Sequence, residues 1–218
     1  MKDMFKTGLV VLALQICLAV FTGFNVDQVL LIPGWTGKGI WLSRWIGAFI
    51  YPMMSLYILF NAFAEHFFFR RRNVSRFDRF YPPYFFIYTA FIILLQVYAT
   101  LVGMKIVSPH FLHFTIITGT VLSGLGNIMP RAPYRAVLSL PLPWLYKSEK
   151  TWRKSHRFIG FTWFVAGVIL TAGSLLALTL KLNRNEIIVY VVRWLIICLF
   201  LIPIPYSYFI HKKNANHR

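Results

Sequence analysis

Charge is what this 218-residue sequence has least of. Charged residues make up 13% of the chain and hydrophobic residues 58%, whereas soluble domains average about 25% and about 45–50%. A soluble domain cannot bury this much apolar surface, so the composition excludes an ordinary soluble protein. With a mean hydropathy of +0.62, the chain is expected to lie in a lipid bilayer.

Polarity is also missing from six stretches, each close to the about 20 residues that a transmembrane helix needs. Their side chains do not alternate in polarity, as the strands of a membrane barrel do. The sequence therefore predicts an all-α polytopic membrane bundle of six transmembrane helices. The stretches are Thr7–Phe24, Trp45–Ala64, Pro83–Val102, Phe111–Met129, Phe158–Leu180 and Ile187–Ile210.

The chain divides into two halves of three spans each. Residues 1–110 form the first half, with a Pro/Gly-rich outer loop at 25–44 and a basic inner loop at 65–82. Residues 111–218 form the second half. Cysteine is scarce, and Cys17 and Cys198 both fall inside predicted spans. We expect both to be packing residues rather than a disulfide.

Acidic residues are rare as well, with 6 Asp and Glu against 23 Lys and Arg, a formal net charge of +17. In a soluble protein such a surplus would suggest nucleic acid. Counted by segment, however, seventeen of the cations lie on one side of the predicted membrane and five on the other. The richer side is predicted to be cytoplasmic, with both termini inside. We therefore expect a multi-pass membrane protein that does not bind nucleic acid directly.

Small residues recur every four positions in the fourth span, at Thr115, Gly119, Ser123 and Asn127. Such a stripe lets two helix backbones approach closely in lipid. The first interpretation is therefore a packing seam. The alternative places Asn127 in a buried polar site at the cytoplasmic mouth.

The connection from Pro130 to Arg157 is the longest in the chain, and a long connection in a compact domain is usually functional. Ser148 is predicted to cap a helix with Glu149 in its first turn. On that helix Lys150, Arg153, Lys154 and Arg157 form one basic stripe, opposite Trp152, His156 and Ile159. This pattern is typical of a helix whose cations meet anionic headgroups. A docking surface for a cytoplasmic partner is the functional alternative.

No motif indicates a metal, a cofactor or a nucleophile. Glu149 and His156 are seven residues apart, about 10 Å along a helix, too far for direct contact. His66, Glu65 and His113 have none of the spacings that bind metals. We expect no cofactor, no metal and no enzymatic activity. Arg193 lies inside the last span, where it either extends to the membrane surface or lines an internal cavity.

A signature extends from the fourth span into the fifth. It consists of Gly126-Asn127-Ile128-Met129-Pro130, then Pro143-Trp144, Ser148-Glu149 and Trp152-x-x-Ser155-His156-Arg157-x-x-Gly160. This run resembles the SdpI family, bacterial membrane immunity proteins of the sporulation-delaying-protein type. The matching positions are Gly126, Asn127, Pro130, Pro143, Trp144, Ser148, Glu149, Trp152, Ser155, His156, Arg157 and Gly160.

The chain departs from the family pattern just before Pro143. Where the family has Asn, Gly and a basic residue, this chain has Arg135, Ser139 and Pro141. The resemblance implies protection against a membrane-active peptide toxin that acts from the outer side. In the family's best-known member it also implies a cytoplasmic repressor held at the membrane.

Two other functions stay open. A small transporter is suggested by polar residues inside the spans, provided that they converge on one cavity. These residues are Gln15, Asn61, Gln96, His113, Asn127 and Arg193. A membrane enzyme acting on lipid would use Glu149 and His156 as acid and base.

Overall fold

The fold is given by a computed structural model that describes residues 2–32, 39–69, 74–134, 142–180, 190–191, 193–195 and 197–215. Six helical stretches in this part of the chain are long and apolar enough to cross a membrane. The predicted all-α membrane bundle is therefore confirmed. The helices are α1 (Lys2–Asn25), α2 (Arg44–Phe69), α3 (Val74–Gly103), α4 (Phe111–Ile128), α5 (Glu149–Thr179) and α6 (Pro203–Ala215), of which α6 forms only the later part of the sixth stretch, Arg193–Asn214.

Shorter elements join these helices. A 3-10 turn at Met129–Arg131 follows α4, and another at Leu145–Lys147 precedes α5. A π-helical segment at Ile197–Leu201 precedes α6 and belongs to the last candidate span, Arg193–Asn214.

The outer loop predicted at 25–44 contains a β-hairpin that hydropathy did not reveal. Strand β1 (Gln28–Ile32) pairs antiparallel with β2 (Ile40–Ser43). Val29 and Leu30 are almost completely buried, and the Tyr51 hydroxyl of α2 donates to the Leu30 carbonyl at 3.1 Å. The loop is therefore a folded cap packed on the bundle at this end, the hairpin end.

The basic loop predicted at 65–82 is largely helical. Residues 65–69 continue α2 and residues 74–82 belong to α3, which includes Pro82 and Pro83. The difference has a simple cause: hydropathy marks where a segment leaves the apolar layer, and a helix can continue past that point. For the same reason α5 begins at Glu149, nine residues before the apolar stretch.

The core of the first half includes two clusters at opposite ends. One joins Met4 of α1 to Phe80 and Tyr81 of α3 and to Ile128 of α4. The other joins Val26 and Val29 to α2 and α3 at the hairpin end. We call the end that holds the first cluster the signature end, because α4 ends and α5 begins there.

Candidate functional site

The signature residues lie where α4 and α5 cross with their backbones in contact. A Cβ atom on Gly126 would lie 2.6 Å from the Gly160 carbonyl oxygen, and one on Gly160 would lie 2.7 Å from the Pro130 ring. The same holds one to two turns away, where a Cβ on Gly167 would lie 2.5 Å from the Gly119 carbonyl. Only glycine permits this approach. The packing interpretation of the stripe in span four is therefore confirmed for Thr115, Gly119 and Ser123, which contact α5.

Asn127 does not belong to this seam. Its side chain is exposed, whereas Gly126 is buried. The reason is helical geometry: residue 126 lies about three turns after Thr115, while residue 127 is rotated by about another 100°. A repeat of four drifts around the helix, and after three repeats it has left the interface. The hypothesis that Asn127 is a buried polar group is wrong.

Trp152 is the centre of the site. Its side chain is fully buried, and its indole N–H donates to the Ala132 carbonyl at 3.3 Å. The rings of Tyr134 and Tyr146 pack on it with centroids 5.7 and 5.6 Å away, and the His156 ring stacks at 4.0 Å. We call this group of four rings the tryptophan platform. It joins the connection after α4 to the first two turns of α5.

Hydrogen bonds hold the platform in place. The Tyr134 hydroxyl donates to the Tyr146 carbonyl, closing the connection across its ends. His156 Nδ1 lies 2.9 Å from the Trp152 carbonyl, which only accepts, so Nδ1 carries the proton. His156 Nε2 and Ser155 Oγ are buried without a partner among the described residues.

Ser148 caps α5, as its position predicts. Its hydroxyl accepts from the Thr151 N–H at 3.5 Å, and Glu149 occupies the first turn. Just before the cap, Leu145 is fully buried against Trp152. The cap and Leu145 together fix the direction in which the chain enters the helix.

The last helix closes the site from a third side. The Trp144 indole N–H donates to the Ser207 hydroxyl at 2.9 Å, and Ser207 in turn donates to the Ile204 carbonyl at 2.7 Å. Near the end of α6, the Asn214 amide donates to Thr151 at 3.0 Å. Through Trp144 and Thr151, the residues around the platform therefore join three elements: the connection, α5 and α6.

The cations lie on the opposite face of α5. Lys150, Arg153, Lys154 and Arg157 are exposed, while Thr151, Trp152, His156 and Ile159 are buried. Glu149 accepts from Arg153 through two nitrogens at 2.7 and 3.1 Å. The helix thus presents a basic surface around one ion pair.

The structure does not bring Glu149 and His156 together, because Glu149 is exposed beside Arg153 and His156 is buried under Trp152. Among the described residues no three His, Cys, Asp or Glu side chains gather to hold a metal. The side chains of Glu65 and His66 lie outside the described part, as do Arg135, Ser139 and Pro141. Pro143, which lies just before Trp144, is exposed.

The polar residues of the spans scatter. Gln15 and Gln96 meet in the first half, where the Gln96 amide donates to the Gln15 backbone carbonyl at 3.0 Å. Asn61 donates to the carbonyl one turn earlier in its own helix. His113 packs near Tyr98, and Asn127 and Arg193 are exposed. Within the part of the chain that the structure describes, the six residues do not gather at one place, so the transporter interpretation loses its basis.

Sequence reasoning missed several contributors to the site. Gly167 lies in an apolar stretch with no recognisable motif, so it was not singled out. Its spacing of seven residues from Gly160 nevertheless places both glycines on one face of the helix. Ser207 and Asn214 lie more than fifty residues from their partners. Tyr134 and Tyr146 lie in the connection between α4 and α5, and no sequence pattern distinguishes them from other aromatic residues. Only the fold shows that these residues meet.

These observations define a class: a helical, multi-pass membrane protein whose last three spans join at an aromatic platform. The model of the SdpI/YfhL protein family matches residues 139–207 of the chain. The match confirms the resemblance to the SdpI family. It begins shortly before Trp144 and ends at Ser207, the partner of Trp144. Gly126, Asn127 and Pro130 lie outside it. No significant match to a curated protein or to a solved structure accompanies it.

Proposed function

We propose that the chain is a non-enzymatic immunity protein of the bacterial cytoplasmic membrane that protects against a membrane-active peptide toxin. The observation that carries the proposal is that the family match, residues 139–207, covers most of the candidate site. It includes Trp144, three of the four rings of the tryptophan platform, all of α5 and the first part of α6.

The hairpin end is the proposed sensing side. The charge distribution predicts that it faces outward. Ile40 and Trp41 of β2 and Trp45 of α2 leave large apolar surfaces exposed there. Trp45 also packs edge-on against Phe24, 5.3 Å between ring centroids, which fixes one side of this surface. An amphiphilic peptide approaching the membrane would find a rigid aromatic surface at this end.

The signature end is the proposed output side. Helix α5 has 31 residues, about 46 Å of continuous helix, and reaches from one end of the bundle to the other. Because its glycines touch the α4 backbone, a change in the angle between α4 and α5 would displace the tryptophan platform. The basic stripe of Lys150, Arg153, Lys154 and Arg157 would then be presented differently to anionic lipid or to a cytoplasmic repressor.

Protection is tested in a bacterium that lacks SdpI-family proteins. Cells producing the chain, at a membrane level checked by immunoblot, receive purified sporulation-delaying-protein toxin. We expect them to keep their membrane potential and survive, while cells with an empty vector depolarise. Unchanged sensitivity at equal membrane level would contradict the proposal for this toxin class.

Matched variants distinguish the proposed sensing side from the proposed output side. Trp41→Ala removes part of the exposed hairpin surface, and we expect it to reduce protection. Lys154→Gln with Arg157→Gln removes half of the basic stripe, and we expect protection to persist. The same double variant should weaken recruitment of a fluorescently tagged autorepressor from the sporulation-delaying system to the membrane. Equal loss of protection in both variants would argue against separate sensing and output sides.

A further inference from the structure

A groove of about 520 Å³ runs between α5 and the first turns of the last span, with the residues just before it. Its volume lies within the about 300–1,000 Å³ typical of ligand sites. It is distinct from the tryptophan platform: Ser174, which lines it, bonds to Thr115 near the start of α4, on the hairpin side of the bundle. Leu170, Ala177 and Ile197 make its walls almost wholly apolar.

Gly173 opens the floor of this groove. A Cβ atom there would have no neighbour within 4 Å, unlike those on Gly119, Gly126, Gly160 and Gly167. The glycine is therefore not required for helix contact. Ile169, 48% exposed, and Tyr190, 68% exposed, form the rims, so the groove opens laterally where lipid surrounds the bundle.

One charged group interrupts the apolar lining. Arg193 is exposed at the groove and has no ion-pair partner among the described residues. A cation beside an almost wholly apolar groove matches a ligand with an anionic oxygen-bearing head and an apolar tail.

We infer that this groove binds one anionic phospholipid, with its phosphate at Arg193 and an acyl chain along Gly173. Charge complementarity selects the phosphate, because a guanidinium offers it paired donors in a medium of low dielectric constant. The lateral opening selects a lipid, since an acyl chain can enter from the bilayer without crossing water. The lipid site does not depend on toxin immunity and is tested without it.

The headgroup is tested on the purified, delipidated full chain in detergent. Native mass spectrometry measures retention of phosphatidylglycerol against phosphatidylcholine. We expect Arg193→Gln to weaken phosphatidylglycerol binding about tenfold or more, as loss of a charged hydrogen bond does. Lys105→Gln removes an equal charge from an exposed residue at the same end and should leave binding unchanged. The assignment would be overturned if the wild type bound the two lipids equally well and Arg193→Gln bound phosphatidylglycerol as tightly as the wild type does.

The tail is tested by filling the groove. Gly173→Leu places a side chain in open space and should fold normally, while lowering retention of phosphatidylglycerol about tenfold. Gly173→Ala, its control, adds one carbon and should retain the lipid. Undiminished lipid binding by Gly173→Leu would show that the lipid sits elsewhere.

Discussion

The two halves of the bundle are held together by different means. In α1–α3 large side chains interlock, with Phe80 and Tyr81 fully buried between helices. Between α4 and α5 the contact positions are glycines, and the two backbones touch directly. In lipid, where apolar burial gives helices little driving force to associate, both solutions depend on close packing. However, only the side-chain packing of α1–α3 can rearrange when one side chain is substituted.

This difference predicts where the protein tolerates substitution. A side-chain contact yields by a rotamer change, whereas a backbone atom cannot move without its helix. The signature therefore lies where the bundle is least adaptable, so that a change in the angle between α4 and α5 would move the signature residues as a unit. Each substitution below tests one part of that comparison.

The largest effect is expected at Gly126. A Cβ there would lie 2.3 Å from the Phe164 nitrogen and 2.6 Å from the Gly160 carbonyl oxygen, so Gly126→Ala must push α4 and α5 apart. Because no rotamer change can relieve contacts between backbone atoms, we expect a cost beyond the about 1–3 kcal/mol typical of overpacking, at least as large as the about 3–5 kcal/mol of a deleted buried tryptophan. Size-exclusion chromatography of detergent-solubilised protein after heating gives the apparent Tm, which should fall clearly.

Gly124→Ala is the control for that experiment, since it lies two residues away on the same helix. Its Cβ would meet only the Ile87 side chain, at 3.2 Å, which can turn aside. Alanine also favours the helix over glycine by about 0.5–1 kcal/mol. The Tm should stay within a degree or two of wild type or rise. Equal losses at the two glycines would refute the distinction between backbone and side-chain contacts.

Trp152→Ala should come next in size. It removes the fully buried centre of the tryptophan platform, and deletion of a buried tryptophan side chain costs about 3–5 kcal/mol. Trp152→Phe keeps a ring between Tyr134 and His156 but loses the bond to Ala132, for about 1–2 kcal/mol. The apparent Tm ranks the three proteins. If phenylalanine cost as much as alanine, the hydrogen bond rather than the ring stack would hold the platform.

The sequence predicted the spans, the Ser148 cap and the amphipathic start of α5, because each depends on residues within a few turns of one another. It did not predict the β-hairpin, whose strands are short and whose pairing depends on the helices beneath Val29 and Leu30. It also misplaced Asn127, since an exact repeat of four was extrapolated along a helix of 3.6 residues per turn. The contact between Trp144 and Ser207 spans 63 residues, and no local pattern encodes it.

A smaller effect is expected at Ser148, where the connection enters α5. Ser148→Ala removes the acceptor for the Thr151 N–H, and because that bond is long, 3.5 Å, we expect less than about 1 kcal/mol. Hydrogen exchange at the first turn of α5 should accelerate. Ser148→Asp keeps an acceptor at the cap and should restore slow exchange. Equal exchange in wild type and Ser148→Ala would show that Trp152, rather than the cap, fixes the helix start.

The smallest effects, of opposite sign, are expected from the two glutamines buried in the first half. Gln96 donates to the Gln15 backbone carbonyl at 3.0 Å, so Gln96→Met loses an interhelical hydrogen bond, worth about 0.6 kcal/mol inside membranes. The Gln15 side chain is 2% exposed and has no hydrogen-bond partner among the described residues. Gln15→Met therefore removes an unsatisfied amide at similar volume and should raise the Tm slightly. A fall of equal size in both variants would mean that water or lipid satisfies Gln15, and that side-chain packing in α1–α3 includes a polar contact.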